Sequence, residues 1–214
     1  MSSIKLTGDT SGEITISAPA VAGTNTLTLP ASTGTMALTS DISEPNFVRL
    51  AGETLSSDVS SIEFSTSVIT TTYKTYILYS RLQPKTDGAR VIVRLRDDSG
   101  ILLANVSAYQ SQVYRGSGVD FSDTTVSSIY PVSTAGNATG EYAFYRHEFS
   151  EPRASDKKTT FLLHGVNATT DGNIAMVQGG GLLTVAEDNQ GMNVSFDSGD
   201  IASGSSYVLF GVKS

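Results

Sequence analysis

Two stretches near the start of the chain alternate apolar and hydroxyl residues, Glu13-Ile14-Thr15-Ile16-Ser17 and Asn25-Thr26-Leu27-Thr28-Leu29-Pro30. A period of two puts every second side chain on one face of an extended backbone, so both predict strands. Met36-Ala37-Leu38-Thr39 predicts a third, with Gly-, Pro- and Ser-rich turns between them. The stripe of Ile4, Leu6, Ile14, Ile16, Leu27, Leu29, Met36 and Leu38 carries no aromatic ring, since the first aromatic residue is Phe47. Two or three such strands are marginal in water, so this segment is expected to need a partner surface: the following domain, copies of itself, or a larger particle. A disordered Ser/Thr/Gly linker is the alternative.

Beyond Ser43-Glu44-Pro45-Asn46 the pattern changes to strand-length segments punctuated by Gly, Asp, Asn and Ser. Strands are predicted at Ser61–Ser65, Tyr73–Leu82, Arg90–Arg96, Ile101–Ser107, Glu141–Phe149, Thr160–Val166, Asn173–Val177, Leu182–Glu187, Met192–Phe196 and Tyr207–Val212. In Arg90–Arg96, Val91, Val93 and Leu95 fall on one face and Arg90, Arg94 and Arg96 on the other, which predicts one buried and one solvated side. Asp97-Asp98-Ser99-Gly100 reads as a hairpin loop and Gly179-Gly180-Gly181 as a tight loop between two strands. Gly116–Gly140 reads as a long irregular loop, the kind of segment in which binding surfaces concentrate. The expected fold is all-β: an extended N-terminal segment, residues 1–45, followed by an antiparallel β-sandwich of jelly-roll type, residues 46–214.

Composition supports that class. Hydrophobic residues make up 39% and charged residues 16% of 214, and Ser, Thr and Gly fill the gap. Hydroxyl side chains compete with helical backbone bonds, and Thr is stiff at its first torsion. A net charge of −7 would repel a phosphate backbone, which argues against nucleic acid as a partner. There is no cysteine, hence no disulfide and no thiolate chemistry. No stretch reads as a secretory signal or as a membrane-crossing helix, so synthesis in a reducing cytoplasm without membrane insertion is expected.

Catalytic patterns are sparse. His147 and His164 lie in no HExxH or HxH arrangement and read as packing residues of strands. No G-x-S-x-G elbow occurs, and no Gly-Lys-Ser/Thr follows the triple glycine as a phosphate loop would require. Glu148 and Glu151 are a carboxylate pair on paper, and Asp97, Asp98, Asp197 and Asp200 are oxygen donors that suit ordinary acidic turns better than a calcium site. No catalytic residue, metal or cofactor is expected. Tyr109, Gln112, Tyr114 and Arg115 are the candidates for facing a receptor, because aromatic faces beside amide and guanidinium groups suit a sugar ring. A sandwich strand with a polar outer face is the plainer reading of the same residues.

Gly8-Asp9-Thr10-Ser11-Gly12-Glu13-Ile14-Thr15-Ile16-Ser17-Ala18-Pro19, then Ala22-Gly23-Thr24-Asn25-Thr26-Leu27-Thr28-Leu29-Pro30 and Gly34-Thr35-Met36-Ala37, resemble the N-terminal module of fibre-like proteins of tailed phages. The closing Phe196–Val212 is similar to the last strand pair of the β-sandwich head in such proteins, and Tyr73–Asp87 also fits that pattern; Leu209-Phe210 stands where many members have Tyr or Leu-Tyr. The resemblance covers the first forty residues and the framework of the rest, not the middle loops. It implies a non-enzymatic virion protein: a homotrimeric tail fibre that docks through its N-terminal segment onto other virion proteins and presents its head to a host-surface glycan. A head fibre or capsid decoration protein is the alternative, and a polysaccharide-degrading tail spike a more distant one. Trimerism follows from the resemblance alone, since no spacing selects three copies over two.

Overall fold

The computed structural model describes residues 3–7, 10–17, 21, 23–24, 46–97, 109–115, 118–124, 129, 133–183 and 186–213. The chain divides into two units, Met1–Ser43 and Glu44–Ser214. In the first, β1 (Ser3–Thr7) and β2 (Glu13–Ser17) form an antiparallel hairpin, with Lys5 Nζ 2.9 Å from Glu13 Oε1. The predicted strands at Asn25–Pro30 and Met36–Thr39 lie outside the described residues.

Every regular element among the described residues of the second unit is a β-strand, and its sheets are antiparallel. Its strands are β3 (Phe47–Thr54), β4 (Ser61–Phe64), β5 (Thr75–Leu82), β6 (Val91–Arg96), β7 (Tyr109–Arg115), β8 (Gly118–Thr124), β9 (Ala143–Ser150), β10 (Thr160–Ala168), β11 (Ile174–Leu182), β12 (Gly191–Phe196) and β13 (Ser206–Val212). One sheet runs β11-β10-β9-β5-β13-β3, a second β4-β12-β6, and β7 pairs with β8. The two larger sheets bury a shared core, as in a β-sandwich.

That core follows from period two. On the small sheet, the register aligns Phe64, Met192 and Leu95 in one row and Ile62, Val194 and Val93 in the next, all buried. On the large sheet, Tyr76, Leu78 and Leu82 of β5, Tyr145 and Phe149 of β9, Phe161 and Leu163 of β10 and Val177 of β11 point inward. Phe64 meets Tyr207 edge-on across the gap, ring centroids 5.5 Å apart. On the outward side of β6, Arg94 and Arg96 are partly exposed as the alternation predicts but Ile92 is buried; Arg96 Nη2 reaches Glu63 Oε2 at 2.6 Å, and Asn193 donates to the same carboxylate from β12, between the two strands. Burial works against the charged carboxylate, but these bonds and one from Ser61 prevail and hold the Glu63 pKa below its ordinary value.

Three elements differ from expectation. β3 was not predicted. Its pairing with β13 skips Leu50, a bulge that puts Phe47-Val48 and Leu50-Ala51 out of alternating phase and hides the strand from a period-two reading. β8 occupies part of the expected Gly116–Gly140 loop; its Asp and Ser residues are poor strand formers, and pairing with β7 along its length supplies what local preference does not. Gly179-Gly180-Gly181 is not a loop but part of β11, paired with Leu163, Leu162 and Phe161, and of the strand expected over Leu182–Glu187, Leu182 is the last residue of β11 while Leu183, Ala186 and Glu187 lie in no strand. Leu162 approaches the middle glycine: a Cβ on Gly180 would stand 3.0 Å from its side chain. The predicted strand Ile101–Ser107 lies outside the described residues.

Arg153, just past β9, ties loops together. Its guanidinium bonds Asp188 twice, at 2.5 and 3.0 Å, and the Ile69 carbonyl at 2.9 Å. The side chain is only 17% exposed, so truncation would strand Asp188 and a carbonyl in a poorly solvated setting. Arg153→Ala should cost about 2 kcal/mol in urea unfolding, and Arg153→Lys should recover less than half of it, because an ammonium cannot make the forked contact. A loss under about 0.5 kcal/mol would show the tie to be ornamental.

Candidate functional site

The residues expected to dock or oligomerise divide in two. The β1–β2 register sets Ile4 opposite Ile16 and Leu6 opposite Ile14, and the side chains of Ile4, Leu6 and Ile16 are exposed. A two-stranded ribbon has no second layer to cover its apolar positions, so the alternation that makes the strands also leaves a sticky stripe. Leu27, Leu29, Met36 and Leu38 fall outside the described residues.

The receptor candidates lie on β7, paired Tyr109 with Thr124, Gln112 with Phe121, Tyr114 with Val119 and Arg115 with Gly118. β7 also runs close beside β11 of the large sheet.

Several of the titratable groups that the sequence singles out are engaged in structure. His147 is fully buried on the inner face of β9, nearly parallel to Phe149 at 6.4 Å and edge-on to Tyr145 at 5.9 Å. Neither ring nitrogen has a hydrogen-bond partner among the described residues, and burial pushes its pKa down to about 3, so the ring is neutral at every ordinary pH. His164 is exposed on the opposite face of the sheet, paired in register with Arg146 and Gln178. Two histidines on opposite faces cannot share a proton or a metal ion. Glu148 is bonded by Arg146, while Glu151 lies 3.0 Å from Lys157 and 3.7 Å from Lys74. The Lys157 hydrogen bond leads the influences that keep the Glu151 carboxyl below its usual pKa, the opposite of what a general acid requires. Asp197 accepts from the Arg90 amide at 2.9 Å, tying the end of β12 to the start of β6. Among the described residues no group of three or more His, Cys, Asp or Glu is placed to hold a metal ion, and no helix is long and apolar enough to cross a membrane.

A feature not anticipated from sequence is the outer face of β9, β10 and β11. The register aligns Phe144, Val166 and Met176 in one cross-strand row, all exposed, with Ile174 beside them. A polar row of Arg146, His164 and Gln178 follows, and beyond it Leu162 and Leu182 are exposed as well. Near Leu162 the side-chain-free Gly180 and Gly181 leave a depression of about 350 Å³, also lined by Glu148, Ser150 and Thr160. A signal existed: Phe161-Leu162-Leu163 and Ile174-Ala175-Met176-Val177 are continuous apolar runs, the pattern of strands buried on both sides, in a sheet with one side covered.

The arrangement is that of a scaffold with two uncovered apolar surfaces and engaged charges, and it contains no described constellation of nucleophile, base and orienting group. No protein-family model matches the chain, and neither the curated proteins nor the solved structures contain a match to it.

Proposed function

We propose that the chain is a non-enzymatic structural protein of a tailed-phage particle, a homotrimeric fibre whose N-terminal segment docks on the virion and whose jelly-roll head is presented to the host surface. The observation that carries this reading is the β1–β2 hairpin, a unit separate from the sandwich, whose Ile4, Leu6 and Ile16 are exposed. Apolar teeth on a thin ribbon gain burial only from another surface, and an attachment module needs such a surface. The sandwich has its own core, which frees it to face outward. The proposed partners are sister subunits, tail or capsid proteins and a host glycan, with Tyr109, Gln112, Tyr114 and Arg115 of β7 as the residues to test for glycan contact.

Deleting residues 1–40 is expected to leave a folded head, with the wild-type far-ultraviolet dichroism, that no longer enters particles. Incorporation of the truncated chain at wild-type copy number would defeat the reading. Fractionation then separates the two attachment points: a tail fibre follows isolated tails, whereas a head fibre or decoration protein follows tail-less capsids.

A further inference from the structure

We infer that the outer face of β9, β10 and β11 is the surface through which copies of this chain meet. The inference deepens the fibre reading only in its self-association. Ile174 is 74% exposed, Met176 68% and Leu162 51%, with Phe144, Val166 and Leu182 at 46%, 37% and 39%. At roughly 150–200 Å² of full accessible surface for a large apolar residue, these six present about 500–600 Å² of apolar area. Divided into two bands by the polar row of Arg146, His164 and Gln178, that area is comparable in sum to the largest apolar patch usual on a monomer, about 300–600 Å². It also matches the apolar share, about 450–520 Å², of the roughly 800 Å² that each partner contributes to a standard interface.

Charge selects a second copy as the occupant. The chain carries −7, so a patch meant for a basic partner could be acidic at little cost. Instead the face bears one cation and one anion, Arg146 and Glu148, already bonded to each other, and β11 has no charged residue from Ile174 to Leu182. A surface that meets its own copy brings like charges together unless it is neutral, and this one is neutral inside an acidic chain. Its relief is also two-sided. The bands around Met176 and Leu162 are exposed, and the depression beside Leu162, over Gly180 and Gly181, offers room for an apolar side chain from a neighbour.

The test uses the full-length chain. Multi-angle light scattering at micromolar concentration should give two or more times 22.5 kDa for the wild type. Val166→Glu with Met176→Glu should return the mass to one chain while dichroism stays unchanged. Because the chain has no cysteine, a single thiol introduced by Met176→Cys can be followed with a maleimide without interference. It should react at least tenfold more slowly than one introduced by Asp156→Cys on an exposed turn, and this reading does not depend on whether the double glutamate variant folds. A monomeric wild type, or a thiol at position 176 labelled as fast as that at 156, overturns the inference, as does a folded glutamate variant that stays assembled. A dimer that the glutamates dissociate would uphold the face and sink the trimeric fibre. A trimer unaffected by them would sink the face and leave the fibre standing.

Discussion

Between pH 7 and pH 4 the protein should lose about 3 kcal/mol of stability through His147 alone. The folded chain holds this imidazole neutral, with a pKa of about 3, whereas the unfolded chain protonates it near pH 6.5. Protons therefore bind the unfolded state better. The contribution of the neutral ring is intact above pH 6.5 and is lost as pH falls from there toward 3. Glu63, Glu151, Asp58 and Asp171 also have lowered pKa values, but their contributions begin to fail only near the ordinary carboxylate pKa, about 4. The window between pH 6 and pH 5 thus isolates His147, with an expected slope of about 1 kcal/mol per unit in urea titrations. His147→Phe and His147→Leu should flatten that slope. They should also equal or exceed the wild type at pH 7, because each removes two unpartnered ring nitrogens from a setting of aromatic rings. An unchanged slope in both variants would mean that the ring is hydrated in solution.

Gly165→Ala should cost about 3 kcal/mol or more, a large loss for one methyl group. Gly165 of β10 is paired with Tyr145 of β9, and the Tyr145 ring lies across the space that a side chain at 165 would fill. A Cβ there would approach both the ring and the Phe144 carbonyl oxygen closer than 3.0 Å. The ring could swing away only by breaking its hydroxyl bond to Asn167 Oδ1, 3.1 Å, inside a buried network that continues from Asn167 Nδ2 to Ser133 at 3.2 Å and to the Thr134 carbonyl at 2.6 Å. The carbonyl cannot swing at all, being part of the β9 backbone. Tyr145→Phe isolates the hydroxyl's share and should cost about 1–2 kcal/mol, since it leaves a buried amide oxygen short of a donor. If Gly165→Ala unfolds within about 1 kcal/mol of wild type, the sheet is looser at this point than its close approach implies.

The proportion of the structure legible beforehand depended on how far neighbours followed local pattern. Arg90–Arg96 was plain because Val91, Val93 and Leu95 needed only a covered face and Arg94 and Arg96 an open one. Tyr73–Leu82, Glu141–Phe149 and Thr160–Val166 were found, with boundaries off by one or two residues, for the same reason. β3 was missed because its bulge breaks phase, and β8 because its polar residues rely on β7. The triple glycine was misplaced because glycine carries no side chain to declare a strand, and the large residues that justify it there belong to β10. The candidate surfaces fared similarly: the stripe of Ile4, Leu6, Ile14 and Ile16 was visible as alternation, whereas the face of Phe144, Val166 and Met176 exists only once three strands, separated by loops, are set in register.

The sequence by itself determined that the chain is β, that it lacks thiol chemistry and that its apolar positions recur at period two, because these depend on residue type and on nearest neighbours along the chain. Only the tertiary structure decided which face of each strand is covered. That choice requires distant strands to be paired, as Val166 is with Phe144 and Met176, and a shift of one residue in either pairing would exchange the buried face for the exposed one.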